Sequence, residues 1–75
     1  MTNINELIKH YSYSVKYSSE DETYVAQCLE LGIMAHGDSQ EEAIKKIKEA
    51  TRIHLLMLRE DGESIPQPSS LQATN

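Results

Sequence analysis

Apolar and polar positions alternate along the first third of the chain and then change period. Tyr11, Tyr13, Val15 and Tyr17 alternate with Ser12, Ser14, Lys16 and Ser18. A period of two predicts a half-buried strand over residues 11–18. Residues 19–23, Ser-Glu-Asp-Glu-Thr, form a polar acidic turn, and residues 24–30, Tyr-Val-Ala-Gln-Cys-Leu-Glu, return as a second strand. So short a connection makes the pair antiparallel. Leu31-Gly32 turns the chain again, and residues 33–36, Ile-Met-Ala-His, form a short third strand. From Gly37 onward the period becomes helical. Ala43, Ile44, Ile47, Ala50, Thr51, His54, Leu55 and Leu58 fall on one broad stripe. The pattern predicts an α+β domain: a three-stranded antiparallel β-meander with one long helix packed on one face.

The ends of the long helix carry their own signals. Asp38 and Ser39 are both good N-caps, and each is followed three residues later by a glutamate, Glu41 or Glu42. Either register makes a capping box or a close variant, with acid at the positive end of the helix dipole. Gly62, after Glu60-Asp61, is the expected stop. Before the first strand, Asn3 is placed to cap a helix of one to two turns, with Ile4, Leu7, Ile8 and Tyr11 on one face. The alternative is a frayed segment that orders only in an oligomer. Beyond the long helix, Ser64-Ile65-Pro66-Gln67-Pro68 is extended, as its prolines require. Residues 69–75 are polar. The expected organisation is one domain over 1–68 and a disordered tail over 69–75.

Three apolar residues do not fit the helical stripe. Ile53 and Leu56 lie away from it and Met57 lies at its edge. Scattered surface hydrophobes are common, but a chain of 75 residues buries only about 60–65% of its unfolded surface. Completing so thin a core by self-association is a natural solution. Ile53, Leu56 and Met57 are therefore expected to contact a second subunit, in a dimer or tetramer.

Composition narrows the functional classes. Net charge is −5 and the chain has no Trp or Phe. Acidity disfavours a nucleic-acid surface and fits a basic partner. A single cysteine, Cys28, allows no intrachain disulfide, fits a reducing compartment, and sits in a strand as a small core hydrophobe. No basic region followed by an apolar run marks a signal peptide, and no stretch is apolar enough to span a bilayer. A cytoplasmic protein is expected. Cys28, His36 and His54 have no metal or catalytic spacing, and His54 reads as a core histidine. The acidic turn lacks the alternating ligands and glycine of a calcium loop. No enzyme activity, metal or cofactor is expected.

Several short motifs occur in order. They are the tyrosine-rich strand, the acidic loop, Tyr24-Val25-Ala26, Glu30-Leu31-Gly32, His36-Gly37-Asp38-Ser39 and Glu41-Glu42-Ala43. After the helix come Gly62 and Ile65-Pro66-Gln67-Pro68. Together, over residues 11–68, they resemble the HicB-like antitoxin family. The resemblance implies a partial ribonuclease-H-like fold without a nuclease site. It also implies that the protein binds and masks a small basic toxin that cleaves mRNA. Many members add a C-terminal helix-turn-helix or ribbon-helix-helix domain that binds their own operator. Here Leu31 stands where a proline commonly precedes the loop glycine. The sequence also stops soon after Pro68, so direct DNA binding by this chain is not expected, and the last strand usual after the proline segment is missing or very short.

The leading expectation is thus an antitoxin-like module of a type II toxin–antitoxin system. Its acidic residues Glu20, Asp21 and Glu22 in the hairpin loop, with Glu30 at the end of the second strand, would meet the basic toxin. Two rivals stand beside it. One is an orphan homo-oligomeric module with no toxin. The other is an RNA-binding protein using the tyrosine row as a stacking platform, ranked last because basic residues are sparse.

Overall fold

A computed structural model describes residues 3–68. The expected tail over 69–75 lies outside the described residues. The elements run α1 (Ile4–His10), β1 (Tyr13–Ser18), β2 (Thr23–Cys28), β3 (Ile33–Gly37) and α2 (Gln40–Glu60). The strands form one antiparallel sheet in the order β1-β2-β3, so among the described residues β1 and β3 are its edges. The α+β meander with a long helix is the architecture the pattern predicted, and of the two readings of the N-terminal segment the structure takes the short helix.

Local chemistry explains most element boundaries. The Asn3 side chain accepts from the backbone N–H groups of Asn5 and Glu6, which stabilises the start of α1. The first strand begins at Tyr13 rather than Tyr11, because Tyr11 is spent as the C-cap of α1 and its N–H donates to the Leu7 carbonyl. The second strand ends at Cys28 rather than Glu30, because Leu29 through Gly32 turn the chain and Gly32 N–H donates to the Cys28 carbonyl at 2.8 Å.

Of the two registers for α2, the structure uses Ser39. Its hydroxyl accepts from Glu42 N–H at 3.0 Å, while the Glu42 carboxylate reaches back to Asp38 N–H at 2.6 Å. The return bond lands one residue before the cap, a variant of the reciprocal box. At the far end Gly62, at φ +70°, donates to the Arg59 carbonyl and Glu63 donates to the Leu58 carbonyl. This is the paired closure of a Schellman motif, and it needs a left-handed residue at the glycine position.

Cross-strand partners share a face. Tyr13 pairs with Cys28 and Cys28 with Ile33, while Val15 pairs with Ala26 and Ala26 with Ala35. That face receives α2 through Ala43, Ile47, Thr51 and Leu55, all fully buried. Thr51 avoids an unsatisfied hydroxyl by donating to the Ile47 carbonyl at 2.7 Å. α1 closes one end of the core with Ile4, Leu7 and Ile8, and Ile65 packs against the same cluster. The prolines that follow α2 are tied in as well: Tyr11 donates its phenolic O–H to the Pro66 carbonyl at 2.6 Å, and Pro68 is fully buried.

Candidate protein-binding surfaces

The tyrosine row is graded rather than uniform. Tyr11 is buried and Tyr13 half-buried, with its O–H donating to the Ile8 carbonyl at 2.6 Å. Tyr17, at the end of β1, is 55% exposed. It meets Tyr24 edge to face, with centroids 5.2 Å apart, a favoured quadrupole arrangement. α2 lies mainly across β3 and β2. This leaves an open groove of about 640 Å³ beside β1, floored by Tyr13, Val15 and Ile44 and edged by Glu41, Lys45 and Lys48. The Lys48 ammonium stands 5.7 Å from the Tyr13 ring centroid.

Burial changes how Tyr13 titrates. Its phenol is pushed up to about 12, first by burial and then by the neighbouring Cys28, and burial also raises Tyr11. A phenol that ionises less readily in the fold than in the unfolded chain stabilises the fold fully below its ordinary value of 10.0. That contribution is lost as pH rises through the folded value. Stability is therefore expected to fall between about pH 10 and 12 in step with tyrosinate absorbance. A melting temperature that stays constant across this window would contradict the assignment.

The acidic residues singled out from sequence lie in two places. Glu20, Asp21 and Glu22 are exposed in the β1–β2 loop. There Asp21 N–H donates to the Ser18 hydroxyl, and Glu22 adopts a left-handed backbone at φ +52°. Glu30 sits at the opposite end of the hairpin. Its carboxylate is half-buried and accepts from Ser12 N–H at 2.8 Å. Five residue steps separate Ser18 from Tyr13, so the two sites are roughly 17 Å apart along the strand.

A different set of carboxylates joins the loop instead. The Tyr24–Gly37 register places the end of β3 beside the hairpin end, and the Thr23 hydroxyl donates to the Gly37 carbonyl at 2.9 Å. Asp38, Glu41 and Glu42 of the α2 start are thereby set at the same end of the domain as Glu20, Asp21 and Glu22. Sequence reasoning read the helix-start acids only as capping groups. Their placement beside the loop follows from the strand register, which the sequence does not display.

The three apolar residues assigned to self-association are all exposed on α2: Ile53 at 59%, Met57 at 57% and Leu56 at 39%. They do not share one environment. Leu56 lines a small polar recess with Asn3, Ile4, Asn5, Arg52 and Arg59, whereas Ile53 and Met57, four residues apart, share the open back of the helix. Among the described residues no group of three or more His, Cys, Asp or Glu side chains could hold a metal ion. No helix of the described residues is long and apolar enough to cross a membrane.

A family model described as the HicB-like antitoxin of bacterial toxin–antitoxin systems matches residues 11–75. The chain belongs to the HicB-like antitoxin family. No curated protein and no solved structure gives a match. Membership in the HicB-like family points to a toxin as partner and to binding rather than catalysis as the task. The surfaces this HicB-like chain leaves open are the acidic end with Tyr17, the groove beside β1 and the back of α2 with Ile53 and Met57.

Proposed function

We propose that this chain neutralises a small basic ribonuclease toxin by binding it and covering its nucleic-acid face. The observation that carries this reading is the family match across residues 11–75. The acidic end supports it. Glu20, Asp21, Glu22, Asp38 and Glu41 are all exposed, and so is the ring of Tyr17 at the hairpin end of β1. An exposed aromatic at an acidic end suits lysine and arginine side chains, which pair with carboxylates and stack on aromatic rings. Acid gathered at one end also steers a basic partner during encounter. Such a complex forms in the cytoplasm, where an mRNA-cleaving toxin meets its substrate. Glu30, at the other end of β1, is a second contact for a toxin that reaches the length of the strand.

The test is to co-express the tagged chain with candidate toxins and purify it at low and high salt. A small basic protein is expected to stay bound at low salt and leave at high salt, and its expression alone should arrest growth. Reversing Glu20, Asp21 and Glu22 to lysine together is expected to weaken that complex about a hundredfold and to flatten its salt dependence. Glu30→Lys should have a smaller effect. Unchanged affinity in the triple variant would remove the acidic end from the interface. Failure of any toxin to associate would favour the orphan, self-associating module.

A further inference from the structure

The back of α2 carries a charge pattern that matches itself when reversed. We propose that α2 packs antiparallel against α2 of a second copy of this chain, across a two-fold axis at Ile53. Ile53 and Met57 are more than half exposed on this face. Lys46 and Glu60 flank Ile53, and both are exposed. Each is seven residues from it, about 10.5 Å along the helix axis. A seven-residue spacing keeps all three on nearly one line of the helix surface.

In an antiparallel pair centred on Ile53, residues equally far from the centre face one another. Lys46 then meets the partner's Glu60, and symmetry repeats the pair on the other side. The two Ile53 side chains meet on the axis. Met57 faces the partner's Glu49, whose aliphatic stem covers it. A parallel arrangement in the same register would stack lysine on lysine and glutamate on glutamate, so charge selects the antiparallel one. A two-fold contact is also the commonest closed form of self-association. Within its own chain Lys46 lies 3.9 Å from Glu42 and remains half exposed, so its ammonium can take a second carboxylate. Leu56 turns toward α1 and stands at the side of this contact rather than at its centre.

Sedimentation equilibrium on the full chain tests the proposal. The unmodified protein is expected to be a dimer. Glu60→Lys, which sets lysine against lysine twice per dimer, should weaken it about tenfold. Lys46→Glu added to Glu60→Lys restores opposite charges in reversed order and should return the affinity to within about threefold. Ile53→Cys should form an intersubunit disulfide under mild oxidation, because position 53 lies on the axis. The unmodified chain should not, because Cys28 is buried. Circular dichroism on each variant separates dissociation from misfolding, and the exposed cysteine substitution is the least disruptive. A monomeric parent chain would overturn the proposal. So would a dimer that ignores Glu60→Lys and fails to cross-link through Ile53→Cys. A monomeric parent whose toxin binding is abolished by Ile53→Glu would assign the patch to the toxin instead.

Discussion

Replacing Gly37 with alanine is expected to be the most damaging single methyl addition in the domain. Gly37 is buried where β3 hands over to α2, and its backbone lies directly against the first turn of the helix. A Cβ there would clash with Ala43 N, lie 2.8 Å from Ala43 Cα and lie 2.9 Å from the Glu42 carbonyl carbon. All three are backbone atoms, so no side chain can rotate away. Relief requires α2 to retreat from the sheet, which would loosen the contacts of Ala43 and Ile47 beneath it. Overpacking a core typically costs about 1–3 kcal/mol, and a rigid backbone clash belongs at or above the top of that range. A domain this small has only a few kcal/mol in reserve. Urea unfolding of Gly37→Ala should therefore show a midpoint collapsed toward zero denaturant. A loss below about 1 kcal/mol would mean that the close approach of α2 to β3 is wrong.

The second large effect separates two isoleucines on one helix. Ile47 is fully buried, whereas Ile53 is 59% exposed. Ile47→Ala removes buried methylene and methyl groups at the centre of the α2–sheet contact. It also leaves a cavity bordered by a sheet that cannot collapse inward. Such truncations cost about 2–5 kcal/mol. Ile53→Ala loses little burial within the chain and, measured on the monomer, should stay within about 0.5 kcal/mol. Chemical denaturation below the dimer dissociation constant reads this contrast directly. Similar losses at both positions would contradict the orientation of α2.

How much was legible beforehand depended on the range of the interaction. The Ser39–Glu42 cap, the Asn3 cap and the Gly62 stop act within a few residues, and each was visible as a residue pattern. The buried stripe Ala43, Ile47, Thr51 and Leu55 was visible too, because a packed helix face must repeat at the helical period. The edges of β1 and β2 were displaced by two residues wherever a turn competed for the same backbone groups. At Tyr11 the helix cap won over the strand, and at Leu29 the turn won. Alternation could not distinguish Tyr11 from Tyr17, since both fall on the same side of the period-two pattern. Tyr11 caps α1 and is tied to the proline segment, whereas Tyr17 stays 55% exposed.

By itself the sequence determined the three strands, the long helix, their order and the central core of the domain, since these follow from local hydrogen bonding and hydrophobic period, while it left the N-terminal helix and the choice between Asp38 and Ser39 as cap open. Its ordered motifs were also enough to point to the HicB-like family. Only the tertiary structure decided which surfaces could work together. The β2–β3 register brought the acids of the α2 start beside those of the hairpin loop and left Glu30 at the far end. The docking of α1 drew Leu56 aside from Ile53 and Met57. These outcomes depend on contacts between residues far apart in the chain. Charge and hydropathy give the composition of a surface patch, but its membership is set by how the layers are laid over one another.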